Sequence, residues 1–157
     1  MRAFLKSITL AFCMLALFGT VAEARIKFKH YIRFEHEGTI SYGELRAGWV
    51  YELSAAPFEG GEPTGNQYQP TSVKLLAPVV PGKVFAVGLN YQSHAGNSGA
   101  ADPELFAKLP TSIIGPGDTI PKPKDSTSLH YEGEMVLVIG KQAKNVSVDD
   151  ALDYVFG

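Results

Sequence analysis

A chain of 157 residues has room for one modest domain, or for a small domain with part of a larger one. Its formal charge of −2, without any basic cluster, gives no sign of a nucleic-acid footprint. The one cysteine, Cys13, falls in an N-terminal leader, so the mature chain has no disulfide, thiolate ligand or cysteine nucleophile.

MRAFLK is a short positive segment, SITLAFCMLALFGT an apolar one, and Ala22-Glu23-Ala24 a small-residue cleavage site. The apolar run is shorter than the ~20 residues that span a bilayer, and charges follow at Arg25 and Lys27. Residues 1–24 therefore read as a signal peptide rather than an uncleaved anchor. Cleavage after Ala24 implies a periplasmic or secreted protein with no stable membrane span.

Residues 26–35, IKFKHYIRFE, alternate: Ile26, Phe28, Ile32 and Phe34 share one face, with Lys27, Lys29, Arg33 and Glu35 toward water. His36-Glu37-Gly38 predicts a turn, TISYGEL a second strand and WVYELS, from Trp49, a third. EGGEPTGNQYQPT, residues 59–71, is poor in apolar residues and predicts a loop closing a small N-terminal β module over 25–77. After Pro78 a second unit begins, spanning 78–157. VFAVGLN predicts a strand covered on both faces. The polar NYQSHAGNSGAADPE predicts a long loop, TSIIGPGDTIPKPK a short strand broken at Gly115-Pro116-Gly117, and SLHYEGEMVLVIG the longest strand. Ser147 with Asp150 predicts a capped helix over DDALDYVF, whose stripe of Ala151, Leu152, Val155 and Phe156 needs something to pack on. Because Gly157 stands where a helix normally leads onward, the sequence reads as a chain cut short.

Within the longest predicted strand, Glu132, Glu134, Val136 and Val138 share one face. Both faces turn apolar after Glu134, placing two carboxylates at the entrance to a core. Like charges about 7 Å apart repel, and burying them unpaired costs several kcal/mol. A divalent cation such as Mg²⁺ or Ca²⁺ removes that cost, and Mg²⁺ is commonly held by one or two carboxylates with water and substrate. The alternative is a strand end whose glutamates point into water.

FAVGLNYQSHAG, PELFAKLPTSIIGPGDTI and HYEGEMVLVIGKQAKNVSVDDALDYVFG stand in an order and spacing that resemble the fumarylacetoacetate hydrolase family. IRFEHEGTISYGEL resembles the small N-terminal domain that many members carry. The resemblance implies an α+β, mainly β fold: the small β module followed by the first part of a β-roll-like catalytic domain. It implies a metal site with Glu132 and Glu134 as ligands, holding Mg²⁺, or alternatively Mn²⁺ or Ca²⁺. It also implies an enzyme acting on small 2-oxo or 1,3-dicarbonyl acids by C–C hydrolysis, decarboxylation or keto–enol isomerisation, and a homodimer for a full-length version. His94 matches the family's loop histidine, with a proposed general-base role. Lys108 matches the LFxK lysine, which would pair with a substrate carboxylate or carbonyl. Tyr91 is a pocket-lining residue or simple packing, and His130, which has no family counterpart, caps a strand end.

Three departures stand against this. Asn97 occupies the position of a glutamate that activates water with the histidine in many members, which shifts weight from hydrolysis toward isomerisation. The family's third metal ligand, an aspartate, lies beyond the motif that ends here in YVFG. Export is unusual for central catabolism. They leave a second reading open: a truncated non-catalytic member, or an exported binding module without a complete metal site.

Overall fold

A computed structural model describes residues 28–96 and 102–157. The predicted signal peptide lies outside the described residues, as do Ile26, Lys27 and Asn97. The fold is mainly β with a few short helical turns, as expected for an α+β, mainly β chain. Among the described residues no helix is long and apolar enough to cross a membrane.

Five strands form one antiparallel sheet: β1 (His30–His36), β2 (Thr39–Arg46), β3 (Trp49–Leu53), β4 (Pro63–Tyr68) and β5 (Lys74–Leu76). Their order is β4-β3-β2-β1-β5. The predicted first strand starts late. Pairing begins at His30, opposite Leu45, so Phe28, expected on the buried face, precedes the ladder and is 78% exposed. The two β1–β2–β3 hairpin turns have two central residues each, Glu37-Gly38 and Ala47-Gly48, all with φ between 48° and 80°. Two successive left-handed residues match the right-handed twist of the flanking strands, and glycine supplies the second position at no steric cost.

The sheet core consists of Phe34 and Val50, both completely buried, with Leu53 and Ala56. Gly43 lies between the two large side chains. A Cβ at that position would fall 2.9 Å from Val50 Cγ1 and 3.1 Å from Phe34 Cε1. Only a bare backbone fits there, so a gap in the alternation of β2 is what lets Phe34 and Val50 meet.

The loop predicted over residues 59–71 instead contains a strand, β4, over Pro63–Tyr68. PTGNQY has no apolar alternation to announce a strand. It is held by the ladder to β3 and by polar side chains around Glu52, where the register with β4 shifts between Tyr51 and Leu53. Ser41 Oγ donates to Glu52 Oε1 at 2.8 Å, while Thr64 Oγ1 and Asn66 Nδ2 donate to Oε2 at 2.9 and 2.8 Å. Hydrogen bonds from Asn66, Ser41 and Thr64 and the nearby His36 hold this carboxyl below its ordinary range, against the opposing effect of burial.

The second region pairs less. Val84–Gly88 (β6) and Glu104–Lys108 (β7) form a two-stranded antiparallel sheet. β6, predicted to be covered on both faces, leaves Phe85 and Val87 exposed. Among its described residues the predicted long loop contains one helical turn, α1 (Gln92–Ala95). No strand forms over residues 111–124; a 3₁₀ turn at Pro110–Ser112 leads to a tight turn in which Asp118 Oδ2 accepts from Gly115 N–H at 2.8 Å. Gly115 passes the backbone of β5, where a Cβ would lie 3.1 Å from Leu76 Cα.

Residues 129–137 do not form the predicted strand, because no neighbouring strand among the described residues satisfies their backbone. Pairing appears only at the end: Phe156 N–H donates to Val138 O and Val138 N–H to Gly157 O, each at 2.7 Å. The predicted helix shrinks to a 3₁₀ turn at Ala151–Tyr154. The predicted Ser147–Asp150 contact forms, with Asp150 N–H donating to Ser147 Oγ at 3.2 Å and that hydroxyl donating to Asp150 Oδ2 at 2.6 Å, but the turn itself begins later, at Ala151. Phe156 then leaves the helical stripe and packs on the N-terminal sheet, its ring centroid 5.7 Å from both Tyr31 and Phe58. That contact ties the chain's C-terminal residues to the first module.

Candidate functional site

The site begins where β6 ends. Its ladder with β7 closes at Gly88, opposite Glu104, and Leu89 then takes a left-handed conformation with φ of 51°. For a branched residue this geometry is uncommon and needs support from both sides. Here β6 supplies it before Leu89 and α1 soon after, with Ala95 N–H donating to Tyr91 O at 3.0 Å and the Ala95 side chain buried. The sharp turn presents Asn90 and Tyr91 at the sheet end, and α1 carries His94 next to it.

Asn90 reaches the predicted carboxylate pair. Its Nδ2 donates to Glu134 Oε2 at 3.3 Å, a contact across 44 residues of sequence. An ionised carboxylate only accepts hydrogen bonds, so the amide must turn its nitrogen toward Glu134. The GLNY and E-x-E elements, far apart in sequence, thus meet in space.

The surroundings of the pair differ from the prediction. Glu132 and Glu134 were expected at the mouth of a core, yet both are exposed, and Met135 and Val136 beyond them are 83% and 74% exposed. With no covering layer around the segment among the described residues, these carboxylates carry no desolvation penalty for a cation to relieve. Glu132 has no side-chain partner among the described residues.

Lys108 stands at the far end of the β6–β7 ladder, opposite Val84. Four residue steps, about 13 Å along a strand, separate it from Glu104 at the Asn90 end. Its Nζ lies 5.3 Å over the Phe106 ring. His130 makes a local contact, its Nε2 2.8 Å from Ser128 Oγ.

A divalent cation would find suitable donor chemistry at Glu132 and Glu134, since hard cations prefer carboxylate oxygen and Mg²⁺ needs no more than two such groups when water and substrate complete its shell. Among the described residues no group of three His, Cys, Asp or Glu side chains could hold a metal.

Two features escaped the sequence reading. Asn90 was visible only as the residue ending an apolar run. The Glu52 cluster draws one carboxylate, two hydroxyls and an amide from three strands, and only its threonine and asparagine belong to a single short segment.

Two family models match consecutive parts of the chain. Residues 83–157 match the family model "Fumarylacetoacetate (FAA) hydrolase C-terminal", and residues 29–78 match "Rv2993c-like, N-terminal". The fumarylacetoacetate hydrolase domain-containing protein 2 homolog of Dictyostelium discoideum is 51% identical over 87 residues, covering 54% of this chain and 28% of the relative. The homoprotocatechuate catabolism bifunctional isomerase/decarboxylase of Escherichia coli is 47% identical over 79 residues, covering 48% of this chain and 18% of the relative. Among solved structures, the 2-hydroxyhepta-2,4-diene-1,7-dioate isomerase from Mycobacterium marinum is similar at a TM-score of 0.73 and 30% identity, covering 83% of this chain and 52% of that one. The chain thus spans about half the length of this solved structure and less than a third of these two relatives.

Proposed function

Because this chain belongs to the fumarylacetoacetate hydrolase family, we propose that it carries part of a metal-dependent site for keto–enol chemistry on small 2-oxo or 1,3-dicarbonyl acids. The family supports the general kind: its members similar to this chain include isomerases, a bifunctional isomerase/decarboxylase and an oxaloacetate tautomerase. The observation that carries the reading within this molecule is the Asn90–Glu134 contact, which gathers the two sequence elements that would share a substrate.

In this reading Glu132 and Glu134 hold the cation, Mg²⁺ or alternatively Mn²⁺ or Ca²⁺, which when bound supplies Lewis-acid stabilisation of negative charge on an enolate oxygen. His94, on the turn next to Asn90, takes the proton from substrate carbon and returns it, the role of a general base near neutral pH. Tyr91 lines the same approach. Lys108 pairs with a substrate carboxylate only if substrate or chain spans the β6–β7 ladder. Asn97 cannot accept a proton as glutamate does, so isomerisation is favoured over hydrolysis. Export with cleavage after Ala24 and homodimer formation by a longer version complete the proposal.

A non-catalytic member is the second reading, favoured by the presence of only two candidate ligands among the described residues. Thermal melting with millimolar Mn²⁺ separates the two. A ligand at 100 times its Kd stabilises by about 2.7 kcal/mol, so the wild-type melting temperature should rise and that of Glu134→Ala should not. No rise in the wild type would favour the non-catalytic member.

A further inference from the structure

We infer that Asn90 is a positioning residue for Glu134, an inference that rests on the metal-site reading above and assigns a role to a side chain outside the ligand set. Glu134 lies in residues 129–137, whose backbone has no hydrogen-bonded partner among the described residues. A carboxylate on such a segment has no fixed direction of its own. Asn90 is anchored differently, two residues beyond the β6–β7 ladder and immediately after the left-handed Leu89. Its amide donates to Glu134 Oε2 at 3.3 Å, at the long end of hydrogen-bond geometry, and this is the side-chain contact that connects Glu134 to an ordered element.

The bond engages one oxygen. Oε1 is left for a cation, and so is the remaining lone pair of Oε2. An amide suits this task, since it adds no charge that would compete with the cation and neither gains nor loses a proton near neutral pH. A lysine in the same place would neutralise the carboxylate. An aspartate would repel it until metal arrived. Partners of this type, which orient a ligand without touching the metal, typically change metal affinity 10–100-fold when removed.

The test is Mn²⁺ affinity by titration calorimetry on the 157-residue protein, with metal-free melting measured in parallel. Asn90→Leu keeps the approximate shape of the side chain and removes the donor. Affinity should fall about 10–100-fold while metal-free melting is unchanged, and Glu134→Gln should abolish binding. Should Asn90→Leu fail to fold, Asn90→Ser, whose hydroxyl falls short of Glu134, should give the same loss. Equal affinity in the wild type and the Asn90 variant overturns the positioning role and leaves the metal reading intact. No binding by the wild type overturns the metal reading, and the positioning role falls with it.

Discussion

In the N-terminal sheet Phe34 and Val50 are completely buried, whereas Met135, Val136, Leu137 and Ile139 all remain exposed in an equally apolar stretch. Hydrophobicity does not separate the two regions; the supply of partners does. β1 has β2 on one side and β5 on the other, and Phe34 gains Tyr68 across the sheet, ring centroids 5.6 Å apart. Among the described residues, 135–137 have neither ladder nor covering layer. An apolar run states which surface a segment prefers to bury, and only another element makes burial happen.

The largest effect is expected in the packed region. Phe34→Ala should cost about 3–5 kcal/mol in urea unfolding, through lost transfer energy and the cavity left beneath Gly43. A loss below about 1 kcal/mol would mean that the sheet is not the stabilising core.

An intermediate effect concerns acid. The folded carboxyl of Glu52 is held below the ordinary carboxylate range, so its contribution is fully present above the unfolded pKa and disappears as pH falls through the lower folded one. Melting temperature should hold steady from pH 7 to about 5 and decline below that. In Glu52→Gln the decline should be shallower, with the neutral-pH stability already reduced. Identical acid limbs would show that the hydrogen bonds from Ser41, Thr64 and Asn66 do not discriminate between charge states.

The smallest effect tests the exposed region. Val136→Ala should change stability by no more than about 0.5 kcal/mol, as for surface substitutions generally. A loss of several kcal/mol would break the contrast, because it would require Val136 to be covered in solution.

Local signals were readable wherever neighbours in sequence are also neighbours in space. The alternation around Phe34 marked β1, and Gly38 closes the two-residue turn that follows it. Ser147 and Asp150, three residues apart, meet as a capping pair should. β4 was missed because polar hydrogen bonding to Glu52, rather than an apolar face, holds it to the sheet. The candidate site was legible as two carboxylates, a histidine and a lysine, together with a family resemblance. Their spacing in the fold was not, and Lys108 lies at the opposite end of a ladder from Asn90.

The sequence by itself determined β1, β2 and β3, the Glu37-Gly38 turn and the chemistry of the candidate ligands, because these depend on backbone preference and side-chain type over a few residues. Tertiary structure decided that Asn90 meets Glu134 across 44 residues, that Asn66 joins Glu52 across 14, and that Phe156 leaves its predicted helix for Tyr31 and Phe58. Contacts at such separations arise only when the whole chain settles which surfaces face each other, and no local pattern encodes that choice.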